Sequence, residues 1–181
     1  MNITLNEANP AEVKKIKELY YTAFPKNERA PFGLMTRRAR QGKGRMLAAK
    51  DGDRFVGFAY IIENAACAYL FYLAISPETR GAGYGSAVLG KLREMYKDKR
   101  IFLARESLDP ASDNYEQRVR RHEFYLRNGF EDLACKIREY KVTFDVMSIG
   151  GNVTPEDYKE IMTPWCGKFL VKYAPMKLID N

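Results

Sequence analysis

Cysteine is scarce in this chain and poorly placed for chemistry: Cys67, Cys135 and Cys166 stand far apart, with no Cys-x-x-Cys pair. An odd, scattered set argues against a disulfide framework or a zinc site, and it suits a reducing compartment. Long apolar runs are missing too. The longest, roughly Phe55 to Ile75, is interrupted by Glu63 and Asn64 and has the composition of strands, so no membrane span is expected. The opening Met1-Asn-Ile-Thr-Leu-Asn-Glu lacks the basic and apolar segments of a secretory signal. A cytoplasmic location is therefore the expectation. The sequence also has no internal repeat, no low-complexity linker and only one histidine, His122.

What is present suits one folded domain over residues 1–181, because two domains would each have a thin core. A composition 46% hydrophobic and 29% charged excludes wholesale disorder. The 30 basic and 23 acidic side chains leave a charge of +7, which favours a phosphate-bearing partner without separating a cofactor from a nucleic acid. The most basic stretch, Thr36 to Arg45, reads as a solvated helix end and loop. It has no interleaved aromatic residues of the kind that stack on single strands. Neither a nucleic-acid partner nor a membrane partner is expected.

Along the chain, residues 2–6 read as a first strand, and Asn9-Pro10-Ala11-Glu12 as a capped helix start. Val13, Ile16, Leu19, Tyr20 and Ala23 then recur on one face. Met46 to Lys50 and Phe55 to Glu63 read as strands around the turn Asp51-Gly52-Asp53, and Cys67 to Ser76 as a third strand. Helices are expected over 86–97, with Val88, Leu89, Leu92, Met95 and Tyr96 buried, and over 113–128, stopped by Gly129. A short strand at Ile101 to Arg105 separates them. Lys136 to Ile149 reads as one long β run. A capping pattern at Thr154-Pro155-Glu156-Asp157 opens a last helix, and Phe169 to Tyr173 reads as a final strand. This order predicts an α/β (α+β) fold, a mixed sheet with helices packed on it.

The segment Leu70 to Ser86 carries the chemistry. An apolar strand ends at Pro77, and the loop Arg80-Gly81-Ala82-Gly83-Tyr84-Gly85-Ser86 leads straight into a helix. Glycine lets backbone approach a ligand without a Cβ in the way. Amides of a first helical turn lack internal partners and favour an anion. Arg80 adds a guanidinium able to grip phosphate oxygens in pairs. Together these make a pyrophosphate cradle. Two other phosphate motifs fail. Ser86 stands where the dinucleotide fingerprint needs its third glycine, and Leu92 stands where a P-loop needs Ser or Thr.

Strand, Pro77, Arg80-x-x-Gly83-x-Gly85 and helix resemble the cofactor motif of the GNAT-type N-acetyltransferase superfamily, and Phe124-Tyr125-Leu126-Arg127-Asn128-Gly129-Phe130 resembles its other hallmark. The resemblance implies a single GNAT-like domain with a mixed, mostly antiparallel sheet. It implies direct transfer of an acetyl group from acetyl-CoA, a co-substrate used without metal, to a primary amine on a small molecule or peptide. It implies that backbone groups of Leu73, Ala74 and Ile75 pair with the pantetheine arm, and that amides from Gly81 through Ala82, Gly83, Tyr84 and Gly85 to Ser86 hold the pyrophosphate. Tyr125 matches the tyrosine that protonates the departing thiolate. Such families often form homodimers.

Deprotonating the amine needs a carboxylate or an ordered water. Glu106 is the first candidate, ahead of Glu63 and of Glu28, which lies where the family often builds its acceptor site. His122 is expected to be exposed. Arg118 stands where the family often has an asparagine, a role Asn114 is placed to fill from an earlier turn, and Asn128 is either a CoA contact or a helix end. The rival reading is a non-catalytic CoA-binding module.

Overall fold

Asn9 caps the first helix by accepting from the Ala11 and Glu12 amides, and the Glu12 carboxylate reaches back to the Asn9 amide. This reciprocal cap satisfies amides that a helix start leaves without partners. The helix, α1 (Pro10–Ala23), buries Ile16, Leu19 and Tyr20, while Val13 is only half-buried. It follows strand β1 (Ile3–Glu7). After it come α2 (Phe32–Arg40), β2 (Arg45–Asp51), β3 (Arg54–Glu63), β4 (Cys67–Ile75), α3 (Tyr84–Met95), β5 (Arg100–Glu106), α4 (Tyr115–Arg127), β6 (Glu131–Glu139), β7 (Val142–Ile149), α5 (Pro155–Cys166) and β8 (Lys177–Asp180). This computed structural model describes residues 1–139, 142–167 and 177–180. The strand expected at Phe169 to Tyr173 lies outside the described residues.

The strands are hydrogen-bonded in the order β1-β2-β3-β4-β5-β7-β6-β8. Pairing is parallel between β4 and β5 and antiparallel in β1–β2, β2–β3, β5–β7, β6–β7 and β6–β8. The sheet is thus mixed, as the element order predicted, and mostly antiparallel, as the family resemblance implied. The long β run expected from Lys136 to Ile149 is instead two strands. Strand β6 starts at Glu131, directly after the end of α4, and β6 and β7 pair antiparallel from Glu139 and Val142. An alternating apolar pattern runs through both strands of a hairpin, so periodicity alone did not mark the break.

The chain divides into two compact units, residues 1–62 with 70–95, and residues 63–69 with 96–181. The first is centred on aromatic rings. Tyr20 meets Tyr72 edge to face with centroids 4.9 Å apart, and Phe24 meets Tyr72 at 4.8 Å. Val88, Leu89 and Leu92 of α3 are buried as expected, as is Tyr96 just past the helix, but Met95 is exposed. Arg38 departs from the solvated reading of its basic stretch. It is buried, and its guanidinium donates to Gln41 Oε1 at 2.8 Å.

In the second unit Tyr69 and Phe102 stack face to face, centroids 4.6 Å apart, with Tyr158 of α5 edge-on to Tyr69. Helix α5 carries the expected capping box between Thr154 and Asp157, and Arg100 clamps Asp157 with two bonds of 2.8 Å. Burial alone would raise the pKa of Asp157, but bonds from Arg100 and Thr154 outweigh it and hold the carboxyl below its ordinary value. A depressed carboxyl contributes stability that is complete above its unfolded-state pKa of about 3.9 and is lost as pH falls through the folded value. Asp157→Asn should therefore cost about 2 kcal/mol at neutral pH. It should also flatten the decline in melting temperature between about pH 5 and pH 2. Thermal melts across that range check it; an unchanged acid slope in the variant contradicts the assignment.

Candidate active site

The loop between β4 and α3 begins with a 3-10 turn at Pro77–Thr79, pinned by the Thr79 amide and hydroxyl donating to Ser76 O. Arg80 is exposed, and its Nε donates to Ile75 O at 3.2 Å, which ties the start of the loop to the end of β4. Gly81 and Gly83 have φ of +80° and +82°, a region that side chains rarely tolerate. A Cβ built on Gly81 meets nothing within 4 Å, and one on Gly83 meets only Met1 Cε at 3.8 Å. The glycines are thus required by the path of the backbone, and the space they leave is not filled by the loop's own surroundings. The first amide of α3 to bond back is that of Ala87, to Gly83 O at 3.1 Å. The Tyr84, Gly85 and Ser86 amides precede it in the turn that has no intrahelical acceptors. Gly81, Ala82, Gly83 and Ser86 are exposed, and Tyr84 and Gly85 half-buried. This donor set with an adjacent guanidinium suits a diphosphate.

At the end of β4, the Ser76 amide donates to Val56 O of β3. Backbone polar groups alternate between the two edges of a strand, so Ala74 shares the edge of Ser76, while Leu73 and Ile75 present theirs on the opposite one. Of the three residues expected to meet a pantetheine arm, those two have the outward edge, and Ile75 O already accepts from Arg80. Glu28 ends a 3-10 turn at Lys26–Glu28. The Tyr72 hydroxyl donates to Glu28 O at 2.9 Å and accepts from the Ala30 amide at 2.8 Å, while the Tyr20 hydroxyl donates to Ala30 O. Burial and the neighbouring Tyr72 push the Tyr20 phenol far up, so it stays a donor. Sequence periodicity set Tyr20 on the recurring face of its helix; which loop the two hydroxyls hold is a tertiary matter.

In the second unit, α4 ends in a Schellman turn: the Phe130 amide bonds Tyr125 O at 3.1 Å, and the Gly129 amide bonds Leu126 O at 3.0 Å. Gly129 takes φ +84°, and the Phe130 ring lies against Tyr125 with centroids 5.5 Å apart. The Tyr-x-x-x-Gly-Phe spacing is therefore the spacing of a helix stop that fixes the Tyr125 ring. Asn128 Nδ2 donates to Phe124 O at 2.7 Å, which is the helix-end arrangement. Burial pushes the Tyr125 phenol up, opposed by the charge of Arg121 four residues earlier.

Glu106 ends β5 with both carboxylate oxygens engaged. Oε1 accepts from Asn114 Nδ2 at 3.2 Å and meets Arg118 Nη2 at 3.1 Å, and Oε2 accepts from Arg121 Nη1 at 2.7 Å. Asn114 also accepts from Arg118 Nε at 2.8 Å, so both residues of the departed asparagine position serve this cluster. Glu63 receives the Tyr96 hydroxyl at 3.2 Å and pairs with Lys99. His122 is not the exposed residue that was expected. Its Nε2 lies 2.7 Å from Asp132 Oδ2, and Asp132 is shared with buried Arg105. Among the described residues, no helix is long and apolar enough to cross a membrane, and no group of three or more His, Cys, Asp or Glu gathers to hold a metal.

A model of the Acetyltransferase (GNAT) family matches residues 13–130, a span holding the glycine loop, Tyr125 and the Gly129-Phe130 stop. The chain belongs to this family. No curated protein matches it. Solved structures share its fold. A GNAT-family protein from Bacteroides thetaiotaomicron is 23% identical with a TM-score of 0.71, over 92% of this chain and 98% of that one. An aminoglycoside 6'-N-acetyltransferase complexed with coenzyme A is 18% identical with a TM-score of 0.62, over 82% and 96%. A spermidine N-acetyltransferase variant from Vibrio cholerae is 16% identical with a TM-score of 0.61, over 81% and 92%.

Proposed function

We propose that this chain is an N-acetyltransferase that moves the acetyl group of acetyl-CoA directly to a primary amine of a small molecule or peptide. The observation carrying the proposal is the loop from Arg80 to Ser86, in which Gly81 and Gly83 take positive φ and a Cβ built on either meets at most Met1 Cε within 4 Å, directly before the first turn of α3. In this reading the loop's amides and Arg80 hold the pyrophosphate, and the outward backbone groups of Leu73 and Ile75 align the pantetheine arm. The neutral amine attacks the thioester carbonyl; the C–S bond breaks, and sulfur leaves with its electron pair. Tyr125 supplies the proton that neutralises it. A thiol has an ordinary pKa of about 8.5 and a phenol about 10, and burial raises the Tyr125 phenol further, which keeps it protonated until the thiolate departs. The chain's fold neighbours include enzymes whose names specify aminoglycoside and spermidine acceptors, in keeping with an amine here.

Glu106 enters the proposal as the counter-charge that holds α4 through Arg118 and Arg121, since protonating it would strand two guanidiniums. The amine's proton then leaves through ordered water. Glu106→Gln is accordingly expected to lower kcat by less than about tenfold, where loss of a general base would cost about a hundredfold or more. Steady-state rates with the best amine distinguish the two roles.

Calorimetric titration with acetyl-CoA, followed by an amine panel read by thiol release, tests the whole reading. Binding with turnover on at least one amine supports it. Absence of binding overturns it, and binding without turnover on any amine replaces it with a non-catalytic CoA-binding module.

A further inference from the structure

A loop with three glycines between Arg80 and Ser86 has little intrinsic stiffness, since each glycine widens the backbone freedom that binding would have to remove. Its start is tied to β4 by Arg80 Nε. Its other end is tied at Tyr84, the first residue of α3 and the residue between Gly83 and Gly85. The Tyr84 hydroxyl donates to Asp51 Oδ2 at 2.9 Å, and Asp51 Oδ1 accepts from the Asn2 amide at 2.8 Å. Asp51 closes β2, opposite Ile3 of β1 and Arg54 of β3, so the tyrosine is anchored where three strands meet.

The way this aspartate is used is informative. A carboxylate beside a helix start ordinarily accepts from the first-turn amides and caps them. Asp51 instead spends its oxygens on a strand amide and on the Tyr84 hydroxyl. A fixed negative charge in this neighbourhood opposes a diphosphate, so electrostatics alone would favour its absence. Its contacts supply the compensating role, which is mechanical.

We infer that Asp51 and Tyr84 form a positioning pair that holds the glycine loop open for the diphosphate of acetyl-CoA before it binds. This rests on the proposed function above. The bonds from Asn2 and Tyr84 keep the Asp51 carboxyl below its ordinary range, and the same bond to Asp51 raises the Tyr84 phenol, so acceptor and donor keep their roles at neutral pH.

The test compares coenzyme A affinity and steady-state kinetics in the wild-type chain, Tyr84→Phe, Asp51→Ala and the double variant. Each single variant should weaken coenzyme A binding and raise the KM for acetyl-CoA by about five- to twentyfold. The KM for the amine should stay within twofold. The double variant should be no worse than the weaker single, as expected of two partners in one bond. Amides at 81–86 should exchange hydrogen faster in the free variants than in the free wild type. If the wild-type chain binds no coenzyme A, the proposed function fails. If it binds and both single variants bind equally well, the positioning role fails while the function stands. Equal rises in both KM values would mark a general loss of structure and also overturn the pair. A plain charge effect predicts the opposite sign for Asp51→Ala, namely tighter binding.

Discussion

Gly83→Val is expected to abolish measurable acetyl-CoA binding while leaving a folded chain. Two effects act together. Gly83 has φ +82°, where a β-branched residue is strained by about 1–3 kcal/mol. The new side chain would also project into space that holds, within 4 Å of its Cβ, only Met1 Cε at 3.8 Å. That distance is ordinary van der Waals contact, so on the proposed reading the atoms the side chain displaces are those of the cofactor. A loss of more than about a hundredfold in affinity corresponds to about 2.7 kcal/mol. Calorimetry measures it, with a thermal melt beside it to bound the strain. Normal binding in this variant would contradict the cradle, and with it the proposed reaction.

Tyr125→Phe carries the second large effect, this time on turnover. Phenylalanine keeps the ring that lies on Phe130 and leaves the Schellman hydrogen bonds untouched, so the helix stop survives. Only the hydroxyl is lost. General acid catalysis supplies about a hundred- to ten-thousandfold, and kcat is expected to fall within that range, with affinity for coenzyme A unchanged within about threefold. Because burial raises the phenol's pKa, the wild-type tyrosine stays protonated throughout the neutral range, as a proton donor must. Any fall of kcat at high pH that reports its ionisation should vanish in the variant. An unchanged kcat would remove Tyr125 from the chemistry.

The two predictions differ in how their residues were legible. Gly83 was readable because a bend of the backbone is written in local sequence: a glycine-rich loop between an apolar strand and a helix places Gly81 and Gly83 at positive φ. Tyr125 was readable for a similar reason, since the distance from the tyrosine to Gly129 and Phe130 is the distance a helix needs to stop. Carboxylates were not readable in this way. Glu106 looked available because it ended a strand, yet its surroundings are Arg118, Arg121 and Asn114 of a segment that follows it. His122 looked exposed on a polar helix, yet β6 brings Asp132 to it. Asp51 read as a turn residue, and nothing near it in the chain announced Tyr84, 33 residues away.

From residue order alone came the α/β class, the capped starts of α1 and α5, the glycine loop and the stop of α4, because each depends on dihedral preferences and hydrogen bonds within a few residues. Tertiary structure alone decided where β6 ends and β7 begins, which partners occupy each carboxylate, and how Tyr20 and Tyr72 grip the segment at Glu28 and Ala30. The reason is range. A backbone turn is determined by its neighbours in sequence, whereas the state of a charged or hydroxyl group depends on whichever distant residues folding brings within hydrogen-bonding reach.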